Sequence, residues 1–286
     1  MEESKTSVLS RVFTRNMLRN FLDRGNDEVF SSVIKRYVTE PNKKCNETLI
    51  SEIYCELKHN YRNEYFYKNT LLNKLLLGIH SVNTTTALTE ISIANSKADF
   101  VLINGKAVVY EIKTELDNLD RINSQINDYY KGFDCVSVVT YEKNLEPLQR
   151  VLEKAGRPIG IYILRQNERL GTIKKPEQYR CDLDKGVIFK LLRKKEYENL
   201  IIGKFGYLPD VRQFEYYSAC KDMFFQIPVE ESYQLTLKQL KRRVKVEIED
   251  FAKVPYELRF LAYFMKLQKS DYRNLDMFLK NQYEGA

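Results

Sequence analysis

The sequence predicts an α/β fold, in which helices flank a mixed β-sheet and helical extensions lie at the N- and C-terminal ends. Three observations support this prediction. Apolar residues recur at helical spacing at both ends of the chain, strand-like and helical segments alternate in the middle, and Asn104-Gly105 separates two apolar runs. An order of helix, three strands, helix, strand, helix and strand is typical of a sheet with helices on its faces.

The first 60 residues are predicted to form a helical extension. Apolar positions between Val8 and Tyr37 indicate helices with a break at 25–27, and residues 41–44 have the composition of a linker. A second helical stretch, 49–77, is divided by the polar segment 59–63. The second helix of this pair is expected to begin at Glu64.

Residues 61–170 are predicted to form the core, and residues 186–286 a helical, partly basic C-terminal region. The core strands are predicted at 84–93, 98–103, 107–112, 135–140 and 158–164. Core helices are predicted at 119–130 and 145–155, and a soft boundary lies near 170–185. The C-terminal helices are predicted at 187–202, 214–225, 235–246 and 256–267.

The composition limits the possible chemistry. Lys and Arg total 46 against 39 Asp and Glu, a formal charge of +7, which suits a polyanionic partner.

Five scattered cysteines without a CxxC pair argue against structural zinc or an iron–sulfur cluster. The chain has only two histidines, which argues against catalysis by a histidine base. No apolar run approaches the ~18 residues of a membrane span. We therefore expect a cytoplasmic protein without a membrane partner.

Three charged residues flank the predicted hairpin. Asp99 begins one arm, and Glu111 and Lys113 end the other. Residues two apart on a strand share a face, so Glu111 and Lys113 project together. A two-residue turn at Asn104-Gly105 would point Asp99 away from them, whereas a three-residue turn or a bulge would bring it to their face. We predict such an irregularity, because Gly105 suits one.

If the three side chains meet, they can bind a divalent metal ion. Two close carboxylates repel each other without a cation, and hard oxygen ligands select Mg²⁺ or Mn²⁺. The ion can activate a bound water and neutralise charge on a phosphate, while Lys113 orients that water or stabilises the transition state. The Ile112 carbonyl can add a further ligand.

Asp99, followed after eleven residues by Glu111-x-Lys113, a helix and a buried strand, resembles the PD-(D/E)XK nuclease superfamily. Gln125 and Tyr129 are similar to the QxxxY motif of its RecB-like branch. The resemblance covers about 61–141, with the strand at 158–164 as a possible extension. The chain also resembles small stand-alone bacterial members that are associated with prophages and genomic islands. The sequence departs from the pattern at Ala98, where the motif has Pro, and in lacking the clustered cysteines of some relatives.

The resemblance implies a restriction-endonuclease-like sheet and a Mg²⁺-dependent nuclease acting on DNA, in phage defence or mobile-element biology. It assigns Asp99 and Glu111 to the metal, Lys113 to catalysis, and Gln125 and Tyr129 to holding the nucleic acid. ExK alone carries little weight, because Glu56-Leu57-Lys58 also matches it on a helix. The alternative for the three main residues is a surface ion-pair cluster at a strand end.

Several further residues allow two interpretations. Glu64 either completes the metal site or is a helix-start acid favoured by the helix dipole. Glu90 can reach the site, although an exposed strand acid is the favoured interpretation. Lys97 either touches phosphate or is an ordinary surface lysine. Asp117 is expected to cap the helix that follows it.

Two basic clusters lie in the C-terminal region, and either can follow a phosphate backbone or form a solvated face. Arg242 and Arg243 are the candidates chosen for nucleic-acid contact. The alternative function is a non-cleaving module that binds nucleic acid or protein on a nuclease fold. A nuclease that needs a protein partner, docked on the helical extensions, is a third hypothesis.

Overall fold

The computed structural model describes residues 3–23, 27–79 and 83–283. It confirms the α/β fold, with a six-stranded mixed sheet flanked by helices. The strands neighbour one another in chain order: β1 Thr86–Ile93, β2 Ser96–Asn104, β3 Lys106–Ile112, β4 Cys135–Thr140, β5 Gly160–Leu164 and β6 Leu170–Lys174. Strand β4 is parallel to β3 and β5, and the other pairs are antiparallel.

The N-terminal part is helical, as predicted, with one more break. Its helices are α1 Glu3–Val12, α2 Arg15–Asp23, α3 Glu28–Tyr37, α4 Asn46–Asn60 and α5 Glu64–Leu71, which continues as a π-helical segment over Leu72–Leu77. The Thr14 hydroxyl accepts a hydrogen bond from the Met17 N–H at 3.2 Å, which satisfies a free donor at the start of α2. Residues 25 and 26 of the predicted break lie outside the described ranges. Asp27 caps α3.

The five predicted strands are all present, and β6 is an additional one. Strand β6 lies at the sheet edge inside the predicted boundary segment, and its residues are exposed or half-buried. It therefore lacks the apolar run by which a buried strand is recognised. Strand β4, in contrast, is buried along its whole length, as its apolar run predicted.

Helices cover both faces of the sheet. After β3 they are α6 Ile122–Gly132, α7 Leu145–Glu153, α8 Lys185–Lys190, α9 Lys194–Phe205, α10 Gln213–Phe225, α11 Val229–Lys241, α12 Ile248–Phe251, α13 Arg259–Met265 and α14 Lys269–Lys280. One apolar core joins the face that carries Phe100 and Tyr110 to α1–α5 and α12–α14. The other joins the face that carries Val109 and Val138 to α6–α11.

The C-terminal helices are thus divided between the two faces, and the last of them return to the N-terminal helices. Phe21 of α2 stacks on Phe278 of α14 with ring centroids 4.4 Å apart. The Asn46 N–H donates to the Asn281 carbonyl at 3.0 Å. Across the described ranges, every helix is too short or too polar to cross a bilayer.

Candidate active site

The β2–β3 hairpin turns with an odd register. Phe100 pairs with Tyr110 and Asn104 pairs with Lys106, so Gly105 alone occupies the tip. Its φ of +71° is a left-handed conformation that glycine adopts without strain. This register brings Asp99 across from Glu111, and Asp99 Oδ2 accepts a hydrogen bond from the Ile112 N–H at 2.8 Å. The predicted irregularity of the turn is confirmed.

Glu111 is the most enclosed carboxylate of the site, with only 2% of its surface exposed. Its Oε1 accepts from Gln125 Nε2 at 2.6 Å, and its Oε2 accepts from the Tyr129 hydroxyl at 2.5 Å. Gln125 and Tyr129 lie one turn apart on α6, so both side chains reach the same carboxylate. The helix that follows the hairpin therefore fixes the orientation of Glu111.

Lys113 completes this network. Its Nζ lies 3.0 Å from Glu111 Oε1 and donates to Gln125 Oε1 at 2.9 Å. The Lys113 N–H donates to the Val139 carbonyl at 2.9 Å, and the Thr140 hydroxyl donates to the Lys113 carbonyl at 3.0 Å. The backbone of Lys113 is therefore fixed to the end of β4, and its ammonium group is held beside the carboxylates.

The surroundings of Asp99 destabilise the ionised form of its carboxyl group. Burial and the neighbouring Glu111 carboxylate raise the pKa of Asp99 to about 8, although the hydrogen bond from the Ile112 N–H acts in the opposite direction. Near neutral pH the metal-free site therefore keeps a proton on Asp99. A cation bound in the site would favour the ionised carboxylate of Asp99 and so displace that proton.

Two further acids lie beside Asp99. Carboxylate oxygens of Glu64, Glu90 and Asp99 all lie within 4.8 Å of one another. Asn63 caps the start of α5 by accepting from the Phe66 N–H at 3.1 Å, so Glu64 is presented from the first turn of that helix. Glu90 is an exposed strand acid, as the favoured interpretation predicted, and its carboxylate also belongs to this cluster.

Glu90 has an unusual backbone within β1. Its φ of +57° is left-handed, which is uncommon for a residue other than glycine. Thr89 and Ile91 on either side keep normal pairing with β2, and the Thr89 hydroxyl donates to the Asp99 carbonyl at 2.8 Å. The strain is therefore confined to Glu90, the residue whose carboxylate joins the cluster.

Lys68 is the functional candidate that the sequence analysis missed. This lysine is 6% exposed, and its ammonium group forms ion pairs with both Glu64 and Glu90. Lys97 pairs with the other oxygen of Glu90 from the exposed side. Burial raises the pKa of Glu90, but the two lysines outweigh it, so that pKa lies below its ordinary value. The i, i+4 spacing of Glu64 and Lys68 was the available signal.

A cleft of about 720 Å³ opens at this cluster. Glu64, Lys68, Glu90 and Lys97 line one part of it. Other parts come from the start of α2, the α8–α9 connection, the segment after α11 and the end of α13. They contribute the basic side chains Arg15, Arg193, Arg243 and Lys266. Segments far apart in the chain thus build a mainly basic entrance to an acidic cluster.

The two arginines predicted to contact nucleic acid lie in different environments. Arg243 forms two hydrogen bonds to Glu196, at 2.7 and 2.6 Å, and also donates to the Leu191 carbonyl. Its guanidinium group therefore joins the end of α11 to α9, and Arg243 also lines the cleft, so its contact with nucleic acid stays a prediction. Arg242 is exposed and lies beside Lys204 and Lys238, away from the cleft.

Asp117 does not cap α6, so that prediction is wrong. Asp117 Oδ2 accepts from the N–H and the hydroxyl of Thr114 at 2.9 and 2.7 Å, and α6 begins only at Ile122. The carboxylate closes a local turn in the loop after β3. Such local hydrogen bonds compete with helix formation and explain the later start of α6.

The donor set suits a hard divalent cation. The carboxylates of Glu64, Glu90 and Asp99 converge from a helix and two strands, and Glu111 interacts with Asp99 alone among them. Carboxylate oxygens are the ligands that Mg²⁺ and Mn²⁺ prefer. Both oxygens of Glu111 already accept protein hydrogen bonds, but a carboxylate has about four acceptor positions, so ligand capacity remains. The Ile112 carbonyl stays a predicted ligand.

Comparisons with known proteins give one family match. Neither the search of curated proteins nor that of solved structures gave a match. The model of the family described as bacteriophage P4 protein cII matches residues 57–261, which is more than half of the chain and includes the whole sheet and all residues of the acidic cluster. The chain therefore belongs to the bacteriophage P4 protein cII family.

Proposed function

We propose that this protein is a divalent-metal-dependent nuclease that hydrolyses phosphodiester bonds, with DNA as the expected substrate. The observation that carries the proposal is the convergence of Asp99, Glu111 and Lys113 on one side of the hairpin. Asp99 lies next to Glu64 and Glu90, which line the mainly basic cleft. Two carboxylates from neighbouring strands, with an amine at the end of one of them, are groups that suit phosphodiester hydrolysis with a bound metal ion. A role in phage defence or mobile-element biology is part of the proposal.

Asp99 and Glu111 would hold Mg²⁺ or Mn²⁺, and Glu64 and Glu90 are close enough to Asp99 to assist. The bound ion would supply a more acidic water and neutralise charge that develops on the phosphate. Asp99 would hold the ion in its carboxylate form, because only that form binds a cation well. The buried position of Glu111 keeps its carboxylate in a single orientation.

Lys113 provides the fixed positive charge. Its ammonium group is oriented by Glu111 and Gln125, so a donor already points into the site before substrate binds. A preorganised charge of this kind stabilises charge in the transition state without reorientation. Gln125 and Tyr129 contact Glu111 in the free protein, which supports a positioning role in addition to the predicted contact with nucleic acid.

Arg15, Arg193, Arg243 and Lys266 line the cleft, and their positive charges would bind the phosphates of the substrate strand. Their side chains lie around the cleft rather than within the acidic cluster. Neutralising phosphates releases condensed counterions, so substrate binding is expected to weaken steeply with salt. Lys97 belongs to both the cleft and the acidic cluster, because it lines the cleft and its ammonium group pairs with Glu90.

Cleavage by the purified chain tests the proposal. Labelled single- and double-stranded DNA is incubated with Mg²⁺, Mn²⁺ or EDTA, and products are separated by electrophoresis. We expect cleavage only with a divalent ion, and a rate loss of roughly 10²–10³-fold for Lys113→Ala. Lys58→Ala is the matched control, because Lys58 belongs to the Glu56-x-Lys58 copy on α4 and pairs with Glu168 instead. Equal cleavage by wild type and Lys113→Ala would reject the mechanism.

A non-cleaving binding module is the second candidate. One observation favours it: Glu64, Glu90 and Glu111 each have an ammonium partner within the described part of the chain, so the cluster is balanced without a metal ion. Saturable DNA binding in EDTA, together with no cleavage under any divalent ion, would favour this function over the nuclease.

A further inference from the structure

A second pocket, of about 760 Å³, lies on the opposite face of the sheet from Glu111. Tyr110 precedes Glu111 on β3, so the two side chains point to opposite faces. Leu102, Val108, Tyr110 and Tyr162 line this pocket as its apolar floor. The sheet therefore separates the pocket from the acidic cluster, and its chemistry is independent of the proposed nuclease site.

The rim of this pocket is basic. Lys74 from the π-helical segment, Lys106 from β3, Arg169 before β6 and Lys175 after β6 all line it, and all four are exposed. No ion pair involves any of the four within the described ranges. The pocket's described lining residues also include no acid. The first cleft differs, because it contains Glu64 and Glu90.

This combination selects an anion that also has a flat apolar part. A simple anion would bind at the basic rim and would not contact the apolar floor. A neutral apolar ligand would contact the floor and would leave the rim cations without an anionic partner. The rings of Tyr110 and Tyr162 lie 5.7 Å apart, and Tyr162 is half-buried, so part of its ring is accessible. Aromatic side chains of this kind stack on nucleobases, and lysines bind phosphates as point charges.

We propose that this pocket binds a free nucleoside triphosphate, with the base on the tyrosine floor and the phosphates at the four rim cations. The four formal positive charges approximately match the charge of a triphosphate. The volume of the pocket lies within the range of roughly 300–1,000 Å³ that small-ligand sites occupy. The ligand would contact the β2–β3 hairpin, β5, β6 and the segment after α5 at once.

Calorimetric titration of the full chain with ATP in EDTA tests the site without any cleavage. We expect Lys106→Ala and Lys175→Ala each to weaken ATP binding by about tenfold, since each removes a charge-assisted contact. Lys174→Ala is the matched control: it is the adjacent exposed lysine, but it lines a different pocket beside Arg157. Lys97→Ala controls for binding in the first cleft.

Two comparisons make the proposal falsifiable. Tyr162→Leu should weaken ATP binding by roughly fivefold or more through loss of stacking, and should leave the binding of inorganic triphosphate unchanged. Thermal unfolding of each variant verifies that it is folded. Equal affinity for ATP and inorganic triphosphate, ATP binding that Lys97→Ala but not Lys106→Ala weakens, or tighter binding of a single-stranded oligonucleotide through Lys106 and Lys175 would each overturn the proposal.

Discussion

The Tyr129 hydroxyl lies 2.5 Å from Glu111 Oε2 and joins helix α6 to the end of β3. Tyr129→Phe removes this donor from a buried carboxylate, and we expect a loss of about 1–3 kcal/mol in the free energy of unfolding, measured with urea. Cleavage should fall as well, because Glu111 loses one of its two α6 anchors. Tyr130→Phe is the control: Tyr130 is also buried, but its hydroxyl has no hydrogen-bond partner among the described residues, so its removal should change little.

The pKa of Asp99 gives a pH prediction for the metal-free protein. Because burial and Glu111 raise the pKa from 3.8 to about 8, the folded state binds the proton more tightly than the unfolded state. This contribution to stability is fully present below about pH 4 and is lost as the pH rises towards 8. Asp99→Asn does not titrate, so its stability relative to wild type should increase over that interval in EDTA.

Urea unfolding of Asp99→Asn and wild type between pH 5 and pH 9 measures this difference. Asp120→Asn, an exposed aspartate in the loop before α6, controls for loss of a surface charge. Saturating Mg²⁺ should reduce the advantage of the Asn variant, because a cation stabilises the Asp99 carboxylate. A difference that stays constant across the pH range would contradict the prediction.

Lys68→Met tests whether Lys68 balances the acidic cluster. The variant leaves Glu64 and Glu90 without their shared ammonium group, and we expect a loss of about 1–2 kcal/mol, since both acids are partly exposed. Added Mn²⁺ should raise the melting temperature of the variant more than that of wild type, because the ion then meets uncompensated acids. Lys43→Met, which breaks an exposed pair with Glu40, should show neither effect.

Arg242 and Arg243 are adjacent in sequence but should respond differently. Arg243→Ala breaks a largely buried pair with Glu196 and should lower the free energy of unfolding by about 2–3 kcal/mol. Arg242→Ala should change it by less than about 0.5 kcal/mol. DNA affinity of the folded variants, measured by fluorescence anisotropy, should match wild type for Arg242→Ala. If Arg243→Ala bound DNA more weakly than wild type and with less salt dependence, the predicted phosphate contact of Arg243 would be supported.

The sequence predicted the structural features that depend on a pattern within a short segment. The alternation of elements, the Asn104-Gly105 hairpin and the one-turn spacing of Gln125 and Tyr129 are written in short segments, and the structure has each of them. Helix α14 was not predicted, although Tyr272, Leu275 and Leu279 have helical spacing and are buried. Strand β6 was missed because it is an exposed edge strand.

The remaining features depend on packing between distant segments. Lys68 joins the site because α5 lies against β1, where Glu90 takes a left-handed conformation that no local pattern indicated. The cleft combines Arg15 and Lys266, which are separated by most of the chain. Arg243 belongs to a basic cluster in sequence, and its ion pair with Glu196 depends on the position of that residue on α9, which no local pattern indicates.

The hairpin tip makes loop length a determinant of function. With only Gly105 between the paired residues Asn104 and Lys106, an insertion or deletion of one residue there would reverse the alternation of β2 relative to β3. The Asp99 side chain would then point to the other face of the sheet, although no residue of the site had been substituted. A substitution of Gly105 would be strained at its φ of +71°, but it should still be less damaging than a change in the number of residues at this tip. Epitope or fluorophore insertions therefore belong elsewhere in the chain.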